Sequence, residues 1–215
     1  GIYNSGVTVM LKNKREFIMN DLMVSGFIKH ENQEIFLVEN EETGKSELRV
    51  RLQSKDNLCI ANADEKKTEL HFFQPERVKS MYKRVDHIIF EHQRNNKWKL
   101  YLIEMKSSVG EKKWGEIKGK FRASYLLAQG IAGMLELEIS ETVMFTTFEK
   151  VQFALPDTMP SVRRGNLGSR FVRMEQEWSG ESFGLNFGER ISFSHIPVQM
   201  VRNEKDVLVG DLTAG

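Results

Sequence analysis

VDHIIFEHQRNNKWKLYLIEMKSS, residues 85–108, is the stretch that decides the fold. Two apolar runs, residues 85–91 and 98–106, flank the polar, turn-forming residues 93–96. This pattern predicts two antiparallel strands joined by a tight turn. Both strands carry apolar side chains on both faces, as strands do when other elements cover both sides of their sheet. The sequence therefore predicts a buried β-hairpin.

The register of this hairpin brings three charged residues together. If residues 94–96 form the loop, Asp86 stands opposite Glu104, because facing positions in an antiparallel pair have a constant sum. Cross-strand neighbours of this kind have Cβ atoms roughly 4.5 to 5.5 Å apart. Lys106 lies two residues beyond Glu104, so strand periodicity places it on the same face. We therefore expect Asp86, Glu104 and Lys106 to form one cluster.

Two facing carboxylates favour a bound cation. They repel each other and raise each other's pKa unless a cation lies between them. Mg²⁺ or Mn²⁺ fits such a site, because hard cations select oxygen ligands and keep several waters. A metal-bound water near the Lys106 ammonium is suited to attack a phosphodiester. The alternative is an exposed hairpin with weak, solvated ion pairs, and the apolar neighbours on both faces argue against it.

The motif resembles a known family. Asp86, an apolar strand, a short turn and a second strand ending in Glu104-Met105-Lys106 resemble the core of the PD-(D/E)xK nuclease superfamily of restriction-endonuclease-like phosphodiesterases. The resemblance covers residues 68–155, and Val85 stands where the pattern has proline. It implies that Asp86 and Glu104 bind the metal and that Lys106 assists the attacking water. It also implies an α/β fold with a mixed central β-sheet flanked by helices, a restriction-endonuclease-like core with a strand-rich N-terminal part.

A long amphipathic helix is predicted after the motif, over residues 114–135, where apolar residues recur at spacings of three and four. In the superfamily, the helix after the triplet commonly lends a basic or glutamine side chain to the active site. One polar stripe of this helix is where we expect such a side chain, with an ordinary polar helix edge as the alternative. The stripe consists of Lys118, Arg122, Tyr125 and Gln129.

Basic residues are concentrated in and just before this helix. Clustered lysines and arginines neutralise phosphates, so they predict a wall that binds a nucleic-acid backbone. Arg84, just ahead of Asp86, is a further candidate for a phosphate contact, with a solvated strand end as the alternative. The predicted backbone-binding residues are Lys112, Lys113, Lys118, Lys120, Arg122, Gln129 and Arg84.

The rest of the chain supplies further strands and two candidates for a third metal ligand. Short strands are predicted at residues 34–39, 46–52, 58–62, 69–73, 142–155 and 189–201, while residues 7–24 fit either a helix or an extended segment. Three segments follow: 1–67 as a strand-rich extension, 68–155 as the nuclease-like core, and 156–215 as an appendage with at least one strand. Glu47 and Glu69 are the candidate third acids, with an ordinary surface glutamate as the favoured alternative for each.

Composition limits the partners. The 215 residues carry a formal net charge of +1, so a nucleic-acid surface must be a local patch. A single cysteine, Cys59, excludes an internal disulfide and a multi-cysteine zinc site. No apolar run has the length of a membrane span, and we expect a cytoplasmic protein that does not bind membranes. A homodimer would let two single sites cut both strands of a duplex.

These patterns and the family resemblance together predict a metal-dependent nuclease that uses Mg²⁺ or Mn²⁺, with DNA favoured over RNA as its substrate. The competing hypothesis is a protein of the same fold without activity. Such a protein would be a nucleic-acid-binding or regulatory protein, for example a component of a phage-related or defence system. The complete set of Asp86, Glu104 and Lys106 favours the enzyme, because a pure binder has no need to hold two acids near phosphate.

Overall fold

The structure is a computed structural model that describes residues 2–65, 70, 73, 80–153 and 166–214, with no side-chain description for 2–5 and 166–168. Within these residues the helices are α1 (Ile2–Phe17), followed by a π-helical turn (Ile18–Leu22), α2 (Glu111–Leu135) and α3 (Asn166–Ser179). The strands are β1 (Lys29–Glu31), β2 (Glu34–Glu41), β3 (Gly44–Arg51), β4 (Asn57–Ile60), β5 (His87–His92), β6 (Lys97–Met105), β7 (Ser108–Gly110), β8 (Glu138–Phe148), β9 (Lys150–Gln152), β10 (Gly184–Asn186), β11 (Arg190–Ser192), β12 (Ser194–Gln199), β13 (Val201–Arg202) and β14 (Leu208–Thr213).

A mixed sheet of six strands forms the centre of the molecule, in the order β1-β4-β5-β6-β8-β12. The pairs from β1 to β6 are antiparallel, whereas β6–β8 and β8–β12 are parallel. Helix α2 connects β6 to β8 by way of β7, as parallel neighbours require a crossover. The predicted α/β class with a mixed central sheet is confirmed.

The predicted hairpin and its register are confirmed. β5 pairs with β6 so that His87 faces Ile103, which places Asp86 opposite Glu104 at the next position. Residues 94–96 form the loop, closed by a hydrogen bond from the Gln93 amide to the Lys97 carbonyl. Asn95 and Asn96 have φ angles of 57° and 59°, a left-handed conformation that asparagine tolerates better than most residues.

Each face of the hairpin packs into a separate core. Ile88, Phe90, Leu100 and Leu102 lie in the core beneath α2, together with Trp114, Ile117 and Phe121. Ile89, Tyr101, Ile103 and Met105 lie in a second core on the other side of the sheet. The main sheet is therefore covered on both faces, as the two-sided apolar pattern predicts.

A second sheet covers the face opposite α2. Its strand order is β13-β14-β3-β2, with β14 parallel to β3 and β2 antiparallel to it. Ile35 and Leu37 of β2 and Leu48 and Val50 of β3 are buried against the main sheet, while alternate residues point outward. This two-layer arrangement of sheets is absent from the sequence prediction.

Several predicted elements change their bounds. Residues 7–24, left open between helix and extended chain, belong to α1, the π-helical turn and the two residues after it. The strand expected at 142–155 begins earlier, at Glu138, and ends at Phe148. The strand expected at 189–201 divides into β11 and β12, and β12 extends the main sheet. The strand expected at 69–73 falls largely outside the described residues.

The three predicted segments share their sheets. β4 from the first segment and β12 from the last lie in the same sheet as the hairpin, and β14 pairs with β3. Among the helices that the structure describes, none is both long and apolar enough to cross a membrane.

Candidate functional site

Asp86 lies immediately before β5, and backbone hydrogen bonds at Val85 and at Asp86 itself hold it in place. The Ser124 hydroxyl of α2 accepts a hydrogen bond from the Val85 amide (2.8 Å), and the Asp86 carbonyl accepts one from the Ala63 amide (2.7 Å). The Asp86 carboxylate accepts a 2.7 Å hydrogen bond at Oδ2 from the Met105 amide. Because backbone and side chain are both held, the carboxylate has a defined orientation.

The pKa of Asp86 is raised well above its ordinary value. Burial is the main cause, since only 5% of the residue is exposed. The neighbouring carboxylates of Glu104 and Glu39 raise the pKa further, while the Met105 amide and Lys120 oppose the change. The site thus concentrates more negative charge than its own cations compensate.

Glu104 is fully buried near the carboxyl end of β6. Its Oε1 atom lies 2.9 Å from the Lys120 ammonium and 3.3 Å from the Lys106 ammonium. Its Oε2 atom is buried and has no hydrogen-bond partner among the residues that the structure describes. A buried carboxylate oxygen without a partner is costly, so Oε2 is available to a ligand.

Lys106 lies directly after β6, between two acids. Its ammonium is 3.3 Å from Glu104 Oε1 and 3.5 Å from Glu41 Oε1. Burial alone would lower the pKa of Lys106, but Glu104, Asp86 and Glu41 together raise it above its ordinary value. The raised pKa favours the charged form of Lys106, and the structure brings Asp86, Glu104 and Lys106 into one cluster.

Helix α2 contributes Lys120 and not the predicted stripe. Lys120 reaches Glu104, and Ser124, one turn later, holds the Val85 amide. Lys118 instead pairs with Glu177 of α3 at 2.8 Å. In the same stripe, Arg122 donates to the Asn186 carbonyl, and Gln129 donates to the Tyr125 hydroxyl. The stripe fails as a prediction because that side of α2 faces α3 and β10, away from the sheet end.

The second sheet supplies two acids that the sequence prediction missed. Along β2, the inward face continues from the apolar Ile35 and Leu37 to Glu39 and Glu41. Glu39 Oε1 lies 3.6 Å from Nε2 of His87, a residue 1% exposed whose Nδ1 accepts a hydrogen bond from the Asn62 amide. Alternation along β2 is the sequence signal that could have shown both acids facing inward.

The pKa of Glu39 is raised to about 7 from an ordinary 4.5. Burial is the largest cause, followed by repulsion from Asp64, Glu104 and Glu41, with Lys106 acting in the opposite direction. Glu39 therefore belongs to the same electrostatic unit as Asp86 and Glu104.

The two acids predicted as third ligands have different outcomes. Glu47 lies on the outer face of β3, next to the buried Ser46 and Leu48, and pairs with Lys45 at 2.7 Å. That prediction is wrong, because strand alternation turns Glu47 away from the main sheet. Glu69 lies outside the described residues.

The predicted backbone-binding residues are scattered. Lys112 and Lys113 are exposed in the first turn of α2. Lys118, Lys120 and Arg122 bind other elements, and Gln129 binds Tyr125 of the same helix. Arg84 is 2% exposed and donates to the carbonyls of Ala63 and Met81. The prediction that Arg84 contacts a phosphate is wrong, since its side chain is buried inside the fold.

The carboxylates of Asp86 and Glu104 fit a hard divalent cation. They offer oxygen donors, one of them unpartnered and buried, at the carboxyl ends of the parallel strands β6 and β8, a common ligand position in α/β sheets. In the described part of the chain, no three His, Cys, Asp or Glu side chains converge as a ready-made metal site. A cation would thus have two protein carboxylates and complete its shell with water or substrate, as Mg²⁺ often does.

Comparison of this chain with protein-family models, with curated proteins and with solved structures gives no match.

Proposed function

We propose that this protein is a metal-dependent nuclease that hydrolyses phosphodiester bonds of nucleic acid, with DNA favoured over RNA as the candidate substrate. The observation that carries the proposal is the pairing of two buried carboxylates, Asp86 and Glu104, beside the Lys106 ammonium at one end of the sheet. The unpartnered Oε2 of Glu104 supports a cation between them. The restriction-endonuclease-like core belongs to the same proposal.

Each residue has a distinct task in this scheme. Asp86 and Glu104 hold Mg²⁺ or Mn²⁺, which when bound lowers the pKa of its water and neutralises developing charge. The acids beside Lys106 raise its pKa, which favours the protonated ammonium at neutral pH. Lys106 therefore orients the attacking water, or holds a phosphate oxygen, by donating hydrogen bonds. Lys120 screens Glu104 from the helix side.

Lys112 and Lys113 are the residues best placed for a nucleic-acid backbone. They lie in the first turn of α2, which begins right after β7 and therefore close in sequence to Lys106. Lys113 also precedes Lys120 by two helical turns and shares its side of the helix. Exposed lysines of this kind give affinity for phosphates without sequence preference.

The test compares cleavage by wild type, Asp86→Asn, Glu104→Gln and Lys106→Ala on plasmid DNA, single-stranded DNA and RNA, with Mg²⁺ or Mn²⁺. We expect each substitution to reduce the rate roughly 100-fold or more, the scale on which preorganised groups that stabilise developing charge contribute. Glu47→Gln is the matched control, because it removes a carboxylate from the outer face of the second sheet. Equal cleavage by all variants, or none by wild type under any of these conditions, contradicts the proposal.

One observation favours the inactive alternative, a nucleic-acid-binding or regulatory protein of the same fold. Glu104 Oε1 already has two ammonium partners, and Asp86 already binds a backbone amide. The same groups thus also make sense as a buried structural ion cluster. Metal titration by calorimetry separates the two. The nuclease must bind Mg²⁺, and Asp86→Asn must abolish that binding, whereas the inactive protein does not require Mg²⁺.

A further inference from the structure

The tip of the β2–β3 hairpin lies against the proposed catalytic lysine. β2 and β3 are joined by Glu42 and Thr43, with Glu41 facing Gly44 across the ladder. The Glu41 carboxylate lies 3.5 Å from the Lys106 ammonium, and the Thr43 hydroxyl lies 3.4 Å from the Ser107 hydroxyl. The hairpin tip therefore lies against the two residues that follow β6.

The two halves of the hairpin are held very differently. At its base, Ile35 and Leu37 are 3% and 2% exposed in the core between the sheets. At its tip, the contacts are polar and long, and Glu42, Thr43 and Gly44 are exposed. Burial of apolar side chains stabilises far more than partly exposed ion pairs do. The tip is therefore held by weaker contacts than the base.

We propose that this tip is an autoinhibitory strap, in which the Glu41 carboxylate occupies the place beside Lys106 that a substrate phosphate takes. The inference rests on the proposed function and adds a regulation of the same site. Carboxylate and phosphate are both anions that accept hydrogen bonds from an ammonium. Of the two acids that pair with Lys106, Glu41 belongs to the strap. Substrate must displace Glu41, and lifting of the strap makes room for it.

The first test removes the charge of the strap. Glu41→Gln keeps the size of the side chain, and we expect kcat/KM for single-stranded DNA to rise about two- to fivefold, the range that a partly exposed ion pair accounts for. The rate of acetylation of Lys106 by an amine-reactive reagent, followed by mass spectrometry, should rise as well. Glu42→Gln is the matched control, since its side chain lies in the exposed turn. Unchanged kcat/KM and unchanged acetylation in Glu41→Gln overturn the strap.

The second test locks the strap with a reversible disulfide between Thr43→Cys and Ser107→Cys. The two hydroxyl oxygens lie 3.4 Å apart, so a small movement of the exposed tip is enough to join two sulfurs placed there, and Cys59 is buried. We expect oxidation to reduce cleavage at least tenfold and to slow acetylation of Lys106, and reduction to restore both. In each single cysteine variant, oxidation should change neither the cleavage rate nor the acetylation of Lys106. Cleavage by the oxidised form at the rate of the reduced form overturns the strap.

Failure of the strap and failure of the nuclease proposal give different results. If wild type cleaves and the lock has no effect, the nuclease stands and the strap falls. If no form cleaves, the nuclease proposal falls and the autoinhibitory role falls with it. The acetylation rates of the locked and reduced forms then show only whether the hairpin tip covers Lys106.

Discussion

Replacing Glu39 by glutamine tests whether the acidic end of β2 costs the folded protein stability. Glu39 faces the main sheet with 17% of its side chain exposed, and its Oε1 lies 3.6 Å from His87 Nε2. Its pKa rises from 4.5 to about 7 on folding, because of burial and of repulsion from Asp64, Glu104 and Glu41. Glutamine keeps the shape and an acceptor oxygen but removes the charge.

The sign and size follow from proton linkage. Between pH 4.5 and 7 the folded state holds the Glu39 proton more tightly than the unfolded chain, so stability present below pH 4.5 is lost as the pH rises through 7. One pKa unit corresponds to about 1.36 kcal/mol, which gives an upper limit of about 3 kcal/mol. Since water reaches part of the side chain, we expect about 1–2 kcal/mol.

Urea unfolding at pH 4.5 and pH 8, without divalent metal, measures the effect. We expect Glu39→Gln to be more stable than wild type by about 1–2 kcal/mol at pH 8 and equal to it at pH 4.5. Glu47→Gln, on the outer face of the second sheet, should change neither value. A Glu39→Gln variant that gains the same stability at both pH values, or loses stability at pH 8, would refute the electrostatic account.

Three further outcomes follow from the contacts described above. Ser124→Ala leaves the buried Val85 amide without its acceptor, and urea unfolding should show a loss of about 1–3 kcal/mol. Mg²⁺ at 100 times its Kd should stabilise wild type by about 2.7 kcal/mol in thermal unfolding, and should leave Asp86→Asn unaffected. Burial lowers the pKa of His195 from 6.5 to about 4. Wild type should therefore lose stability as the pH falls from 6.5 towards 4, and the pH dependence of unfolding should be weaker in His195→Gln.

The hairpin and its register were predictable from the sequence because the information is local. Two apolar runs and a polar loop of residues 94–96 leave one antiparallel pairing that matches the loop length. That pairing fixes Asp86 opposite Glu104. Helix α2 was equally predictable, since apolar residues recur along it at helical spacing and become its buried faces.

The packing of the second sheet against the main sheet was not predictable in the same way. Glu39 and Glu41 continue an alternating strand, but alternation shows only that they share a face with Ile35 and Leu37. Which other strand that face covers depends on pairing between distant segments. The ligand prediction for Glu47 is wrong because β3 points this residue outward. Only the packing of the two sheets shows which side of β3 is inside.

Lys120 illustrates a second limit. The sequence showed a basic helix after the triplet but not which of its sides meets the end of the sheet. Helix α2 is buried on more than one side, since it contacts β6 and β8 as well as β10, and Lys118 pairs with α3. An amphipathic pattern with several apolar stripes does not reveal which polar residue faces the site.

The parallel pairing of β14 with β3 also sets an order of assembly. Arg49 and Asp211, which join these two strands by a 2.7 Å ion pair, lie 162 residues apart in sequence. The hairpin that carries Glu39 and Glu41 has no parallel neighbour until residues 208–213 have been synthesised. On a ribosome, Asp86, Glu104 and Lys106 therefore emerge long before the second sheet can be completed. A nascent chain therefore contains the β2–β3 hairpin and its candidate catalytic residues before it contains the strand that joins that hairpin into the second sheet.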